Sequence, residues 1–114
     1  MHLYYDRQSR PISHEQWMAE FSRSHGRRHV ASTDLKELGR VSTVWMGLNH
    51  AYDDGPPLIF ETMIFGGPMD QYMDRYTTED QARTGHEFLV LALLTKADPE
   101  TRRPPLIHNG RKPR

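Results

Sequence analysis

The sequence predicts an α+β fold: a small antiparallel sheet of four or five strands, two helices packed on one of its faces, and a basic C-terminal tail. Three observations lead there. Two strongly β-forming stretches, 41–48 and 58–65, flank a turn-rich loop and form a central hairpin from about Val41 to Phe65. Segments with helical caps lie on either side of that hairpin. The central strands leave no room for crossover helices, which a parallel sheet would need. The expected element order is β-α-β-β-β-(β)-α.

Leu3-Tyr4-Tyr5 reads as a short first strand, closed by the polar turn Asp6–Arg10. Ser13 then stands where an N-cap should, with Gln16 three residues on, the pattern of a capping box. Ile12 and Trp17 occupy hydrophobic-staple positions, and Trp17 and Phe21 share a face, so the first helix is placed at about His14–Ser22. Arg23–His29 is a basic connector. His29–Leu35 is β-like, and Lys36–Gly39 reads as a turn. Arg40–Leu48 follows as a strand through the β-branched and aromatic run Val41-Ser42-Thr43-Val44-Trp45.

The loop Asn49–Pro57 carries Asp54-Gly55 and two prolines, which is turn chemistry, and is longer than a minimal hairpin loop. Leu58–Phe65 is the second strong strand, ended by Gly66-Gly67-Pro68. Tyr72–Tyr76 reads as an edge strand. Thr77 or Thr78 caps a second helix that runs to about Thr95, with Thr77 and Asp80 forming a weaker capping box. Ala82, Gly85, His86, Leu89 and Leu93 give this helix a wide apolar face.

Residues 1–96 are thus expected to form one domain, and residues 97–114 a Pro/Arg-rich tail. In the tail Arg102, Arg103, Arg111, Lys112 and Arg114 outnumber Asp98 and Glu100. Length and composition agree: 114 residues suit one domain, and a 36% hydrophobic share suits a modest core.

Fifteen basic and fifteen acidic residues cancel, which argues against a protein built to coat nucleic acid. The absence of cysteine removes disulfides and Cys-based zinc sites, and fits a reducing compartment. There is no apolar run long enough to span a membrane, and the N-terminus lacks the charged and apolar regions of a signal peptide. A cytoplasmic protein is therefore expected.

The words Val41–His50 and Pro56–Phe65, with Tyr4-Tyr5-Asp6, Pro11-Ile12-Ser13 through Trp17, Arg75-Tyr76-Thr77-Thr78 and Gly85-His86, resemble a family of small uncharacterised proteins of actinobacterial bacteriophages and prophages. The resemblance covers about residues 3 to 90. It departs at Asn49, where family members carry aspartate. It implies phage or prophage origin, hence the cytoplasm of an infected host, and implies no chemistry.

Candidate residues cluster around the hairpin. Glu61 interrupts an otherwise apolar strand. It reads either as a ligand-binding or acid/base carboxylate, or as a residue on a solvent face or paired with an arginine. His50, in a loop with Asp53 and Asp54, would need His86 and Glu61 beside it to form a metal set and a metal-assisted hydrolase. The spacing fits no metal signature, and no metal or other cofactor is expected. His86 follows Gly85 in the second helix, which suggests a close helix–sheet approach and a partly buried histidine bonded to a backbone carbonyl or loop residue. Trp45, Tyr52 and Tyr76, with Arg75 for an anionic group, are pocket candidates, although aromatics in so small a sheet also serve as core.

Arg23, Arg27 and Arg28, and the tail residues Arg102, Arg103, Arg111 and Lys112, are candidates for contacts to phosphate or to a partner. There is no Gly-x-Ser-x-Gly elbow and no phosphate-cradling Gly-x-x-x-x-Gly-Lys loop. The expected function is a phage-encoded accessory protein that acts by binding a host or phage macromolecule or a small ligand, without catalysis. Nucleic-acid binding and self-association through an exposed strand edge are further readings.

Overall fold

The computed structural model describes residues 3–23, 28–51 and 54–95. The tail 97–114 and the candidates Arg27 and Tyr52 lie outside the described residues. The fold is α+β, with two helices, a four-stranded antiparallel sheet and a separate two-stranded sheet. Strands β1 (Tyr4–Tyr5) and β2 (Pro11–Ile12) precede helix α1 (His14–Arg23). Strands β3 (His29–Asp34), β4 (Arg40–Trp45), β5 (Phe60–Phe65) and β6 (Met73–Tyr76) follow, then helix α2 (Glu79–Thr95). The large sheet runs β3-β4-β5-β6 with every neighbour antiparallel.

The first strand was expected to open the main sheet. Instead β1 pairs with β2, a two-residue strand with no signal of its own. Asp6 makes that turn: its Oδ1 accepts from the Gln8 and Arg10 amides at 2.9 Å each. This small hairpin is tied to the body where the Tyr5 amide donates to the Gly47 carbonyl (2.8 Å) and the Asn49 amide to the Leu3 carbonyl (2.9 Å).

The capping box on α1 forms as expected. The Ser13 amide donates to Gln16 Oε1 (2.9 Å) and the Gln16 amide to Ser13 Oγ (3.1 Å). On α2 the box uses Thr78 and Gln81 rather than Thr77 and Asp80. Gln81 donates its amide to Thr78 Oγ1 at 3.2 Å, and its Oε1 accepts from the Thr77 and Thr78 amides. A glutamine amide reaches back to both threonine amides at once.

Strand β4 stops at Trp45, three residues short of expectation, because the Met46 and Gly47 amides both donate to the Ile59 carbonyl (2.8 and 3.2 Å). Two residues facing one is a bulge, and it breaks the alternation. Gly47 (φ +71°) is required there. A Cβ would lie 2.6 Å from the Trp17 Nε1 and from the Trp45 ring. Strict alternation along the strand would put Ile59 on the Glu61 face; with the break it is fully buried in the core instead.

The register divides the sheet into two unlike faces. Three cross-strand rows point toward the helices: Thr33–Val41–Ile64, Ala31–Thr43–Thr62–Asp74 and Trp45–Phe60–Tyr76. Helix α2 packs across all four strands, while Trp17 and Phe21 of α1 pack against the Trp45 end. The two outer rows nucleate separate apolar clusters. One holds Val30, Trp45, Ile59, Phe60, Tyr76 and Ala82; the other Val41, Ile64, Tyr72, Leu89 and Leu93. In the middle row Thr43, Thr62 and Asp74 are polar and buried.

Candidate functional site

The rows pointing away from the helices are Asp34–Arg40–Phe65, Ser32–Ser42–Met63–Met73 and His29–Val44–Glu61–Arg75. Glu61 and Arg75 face each other across β5 and β6. Arg75 Nε donates to Glu61 Oε2 at 3.1 Å, and the side chains are only 14% (Arg75) and 17% (Glu61) exposed. Glu61 is therefore explained by its partner: a carboxylate in an apolar strand is tolerated because a guanidinium stands opposite it. Nearer the edge of this face, the Arg40 guanidinium sits 4.7 Å above the Phe65 ring centre.

His50 belongs to the same neighbourhood. Its amide donates to the Leu58 carbonyl at 3.0 Å. Burial and the Arg75 charge lower its pKa below the ordinary histidine value, with Glu61 acting in the opposite sense. Its Nε2 is buried with no hydrogen-bond partner among the described residues. Asn49 anchors the start of the loop, its Oδ1 accepting from the Ala51 amide (2.8 Å) and the Leu58 amide (3.0 Å). The amide carbonyl suffices for both bonds.

The structure thus brings His50, Glu61 and Arg75 together and separates them from the remaining pocket candidates. Trp45 is 2% exposed and Tyr76 fully buried, both in the core on the helix face. They are part of the apolar core that holds the fold. His86 is also on the helix side, 4% exposed. Its partners are neither a backbone carbonyl nor a loop residue. Nδ1 lies 2.8 Å from Thr43 Oγ1, and Nε2 lies 2.8 Å from Thr33 Oγ1. With both ring nitrogens engaged and the sheet between them, His86 cannot join His50 and Glu61 around one ion. Among the described residues no group of three or more metal-ligating side chains assembles.

The basic connector is engaged at both described ends. Arg23 Nη2 pairs with Glu20 Oε1 at 2.5 Å, and the Arg28 guanidinium lies 4.1 Å over the Phe21 ring. No described helix is long and apolar enough to cross a membrane.

The threonine–histidine row is the feature that sequence reasoning missed. A signal for it existed. In Val41-x-Thr43-x-Trp45 and Phe60-x-Thr62-x-Ile64 a hydroxyl interrupts an apolar face at its middle position, and the two interruptions fall opposite each other once the hairpin is paired. No family model, curated protein or solved structure matches this chain.

Proposed function

We propose that this chain is a non-enzymatic binding protein whose recognition surface is the helix-free face of its sheet, and that its partner is another protein. One observation carries this reading: among the described residues the α1 and α2 side chains pack on the Val41–Ile64 and Trp45–Phe60–Tyr76 rows, and the opposite face presents half-buried Val44, Met63 and Met73 around the Glu61–Arg75 pair. Two methionines and Val44 beside a desolvated arginine, with charges at the margin, match the composition of a protein-binding patch. Methionine adds a polarisable, adaptable contact. The charges on this face, Arg40 and Arg75 against Asp34 and Glu61, balance. That suits a protein surface better than a phosphate backbone, which would call for a basic excess. The resemblance of the hairpin to actinobacteriophage proteins supports a partner encoded by the phage or its host.

The test is site-specific photocrosslinking in an actinobacterial lysate, with the reactive residue at Met73 on the face or at Leu91 on the exposed side of α2. The expected result is a discrete adduct from Met73 only, lost when Met63→Arg is added. A charge in the centre of such a patch weakens binding by roughly thirtyfold, the cost of a residue that dominates an interface. Equal labelling from Leu91, or an adduct indifferent to Met63→Arg, refutes the assignment.

A further inference from the structure

Between the two apolar clusters lies a buried polar row that the proposed binding face does not use. We propose that this row is a proton-operated latch: the neutral imidazole of His86 seats α2 on the sheet, and acidification unseats it.

The geometry starts at Gly85. A Cβ there would meet Tyr76 Cε1 and Oη at 2.4 Å, so only glycine lets this turn of α2 descend onto β6. The descent pushes the next residue, His86, between the strands. Its ring bridges β3 and β4 through Thr33 and Thr43, and Thr43 Oγ1 continues to Thr62 Oγ1 of β5. One side chain therefore ties the helix to three strands.

The hydrogen bonds suit a neutral ring in either tautomer; an imidazolium donating to both hydroxyls would also be satisfied, so what separates the two states is the burial of charge. A neutral imidazole has one donor and one acceptor nitrogen. If Nδ1 carries the proton it donates to Thr43, and Thr33 donates to Nε2. If Nε2 carries it, the ring donates to Thr33, and Thr43 donates to Nδ1. Each arrangement also leaves the Thr43–Thr62 contact one proton. A second ring proton adds a full charge at a site 4% exposed.

Among the described residues, the charged groups packed around the ring do not supply an adjacent counter-ion. Strands β3, β4 and β5 present hydroxyls. On β6, the buried carboxylate of Asp74 stands opposite Thr62, so two threonines separate it from the ring. On α2, Glu87 favours the imidazolium and Arg83 opposes it, and both effects are smaller than that of burial, so the His86 pKa lies below its ordinary value. The sign follows. The unseated ring takes up a proton at about pH 6.5, whereas the seated ring resists it to lower pH. The latch is fully closed above that range and is lost as pH falls through the window below it. Within the window the open state holds one more proton, so opening rises by up to tenfold per pH unit.

Hydrogen exchange along α2, corrected for intrinsic rates, tests this between pH 7.5 and 5. The wild-type helix should lose protection by up to tenfold per unit below about pH 6.5. His86→Gln, which supplies one donor and one acceptor but cannot titrate, should abolish that slope, and His50→Gln should retain it. A pH-independent wild type, a His86→Gln slope equal to wild type, or loss of the slope in His50→Gln overturns the proposal. Should His86→Gln fail to fold, the wild-type ring is followed by NMR. A ring that stays neutral until α2 loses protection supports the latch; a ring that titrates while α2 remains protected refutes it.

Discussion

Gly85→Ala isolates the close approach on which the seat of α2 depends. Two effects oppose each other. In an exposed helix interior the change gains about 1 kcal/mol of helix propensity. Here the new methyl would stand 2.4 Å from Tyr76 Cε1 and Oη and 2.5 Å from Cζ, more than 1 Å inside ordinary contact. Tyr76 has no accessible surface and packs within the Trp45–Phe60 cluster, so the ring has no free volume into which to retreat. Overpacking of this kind costs about 1–3 kcal/mol and occasionally more. At this depth of overlap the upper part of that range applies, which leaves a net loss of about 1–2 kcal/mol. For a domain of this size each kcal/mol moves Tm by about 4–8 °C, so the variant should melt roughly 5–15 °C lower. Thermal and urea melts followed by circular dichroism give both quantities. The double variant Gly85→Ala/Tyr76→Leu supplies the control. Leucine is shorter and leaves room for the methyl, so the two changes should couple by about 1 kcal/mol or more rather than add. A Gly85→Ala protein as stable as wild type, or strict additivity with Tyr76→Leu, would show that the helix does not need to come this close.

Two further changes probe the local anchors. Asn49→Ala deprives the Ala51 and Leu58 amides of their acceptor and should cost about 1–2 kcal/mol in a urea melt, whereas Asn49→Asp keeps an acceptor oxygen and should stay within about 0.5 kcal/mol of wild type. Ser13→Ala removes the side-chain half of the α1 capping box and should cost about 1 kcal/mol, read in the same experiment; Ser13→Gly should recover most of it.

What the sequence revealed and what it hid have physical causes. The β4 and β5 strands were legible because Val41–Trp45 and Leu58–Phe65 combine β-branched and aromatic residues with turn chemistry between them, and this pattern survives without knowledge of the partner strand. The α1 cap was legible because Ser13 and Gln16 satisfy each other over three residues. So was the close approach at Gly85, since a mid-helix glycine is costly unless packing requires it. Strand β2 was invisible: two residues, one of them proline, carry no period. The bulge at Met46–Gly47 was also hidden, because it depends on which carbonyl two successive amides share. The candidate site was half legible. Glu61 stood out as anomalous, but its partner Arg75 lies fourteen residues away on a strand whose register only pairing fixes. Grouping His50 with His86 failed for a simpler reason: the residues that bind His86, Thr33 and Thr43, point to the opposite face of the sheet from Glu61.

That opposition of faces also joins the two proposals, because β4 and β5 carry both of them residue by residue. Thr43 lies between Ser42 and Val44, and Thr62 between Glu61 and Met63. The Thr43 hydroxyl that binds His86, and the Thr62 hydroxyl bonded behind it, are thus set in the same backbone that positions the centre of the helix-free face. A strand is too thin for its two faces to move independently, since successive side chains share one pleated chain. If α2 lifts and the Thr43–His86 contact opens, β3 and β4 lose a side-chain tie beneath them, and the row Val44–Glu61–Arg75 loses part of its backing. Binding on the helix-free face should accordingly weaken under the same acidic conditions that open α2, and should become insensitive to acid in His86→Gln. The coupling need not travel through any chain of side chains; one sheet, read from its two sides, is sufficient.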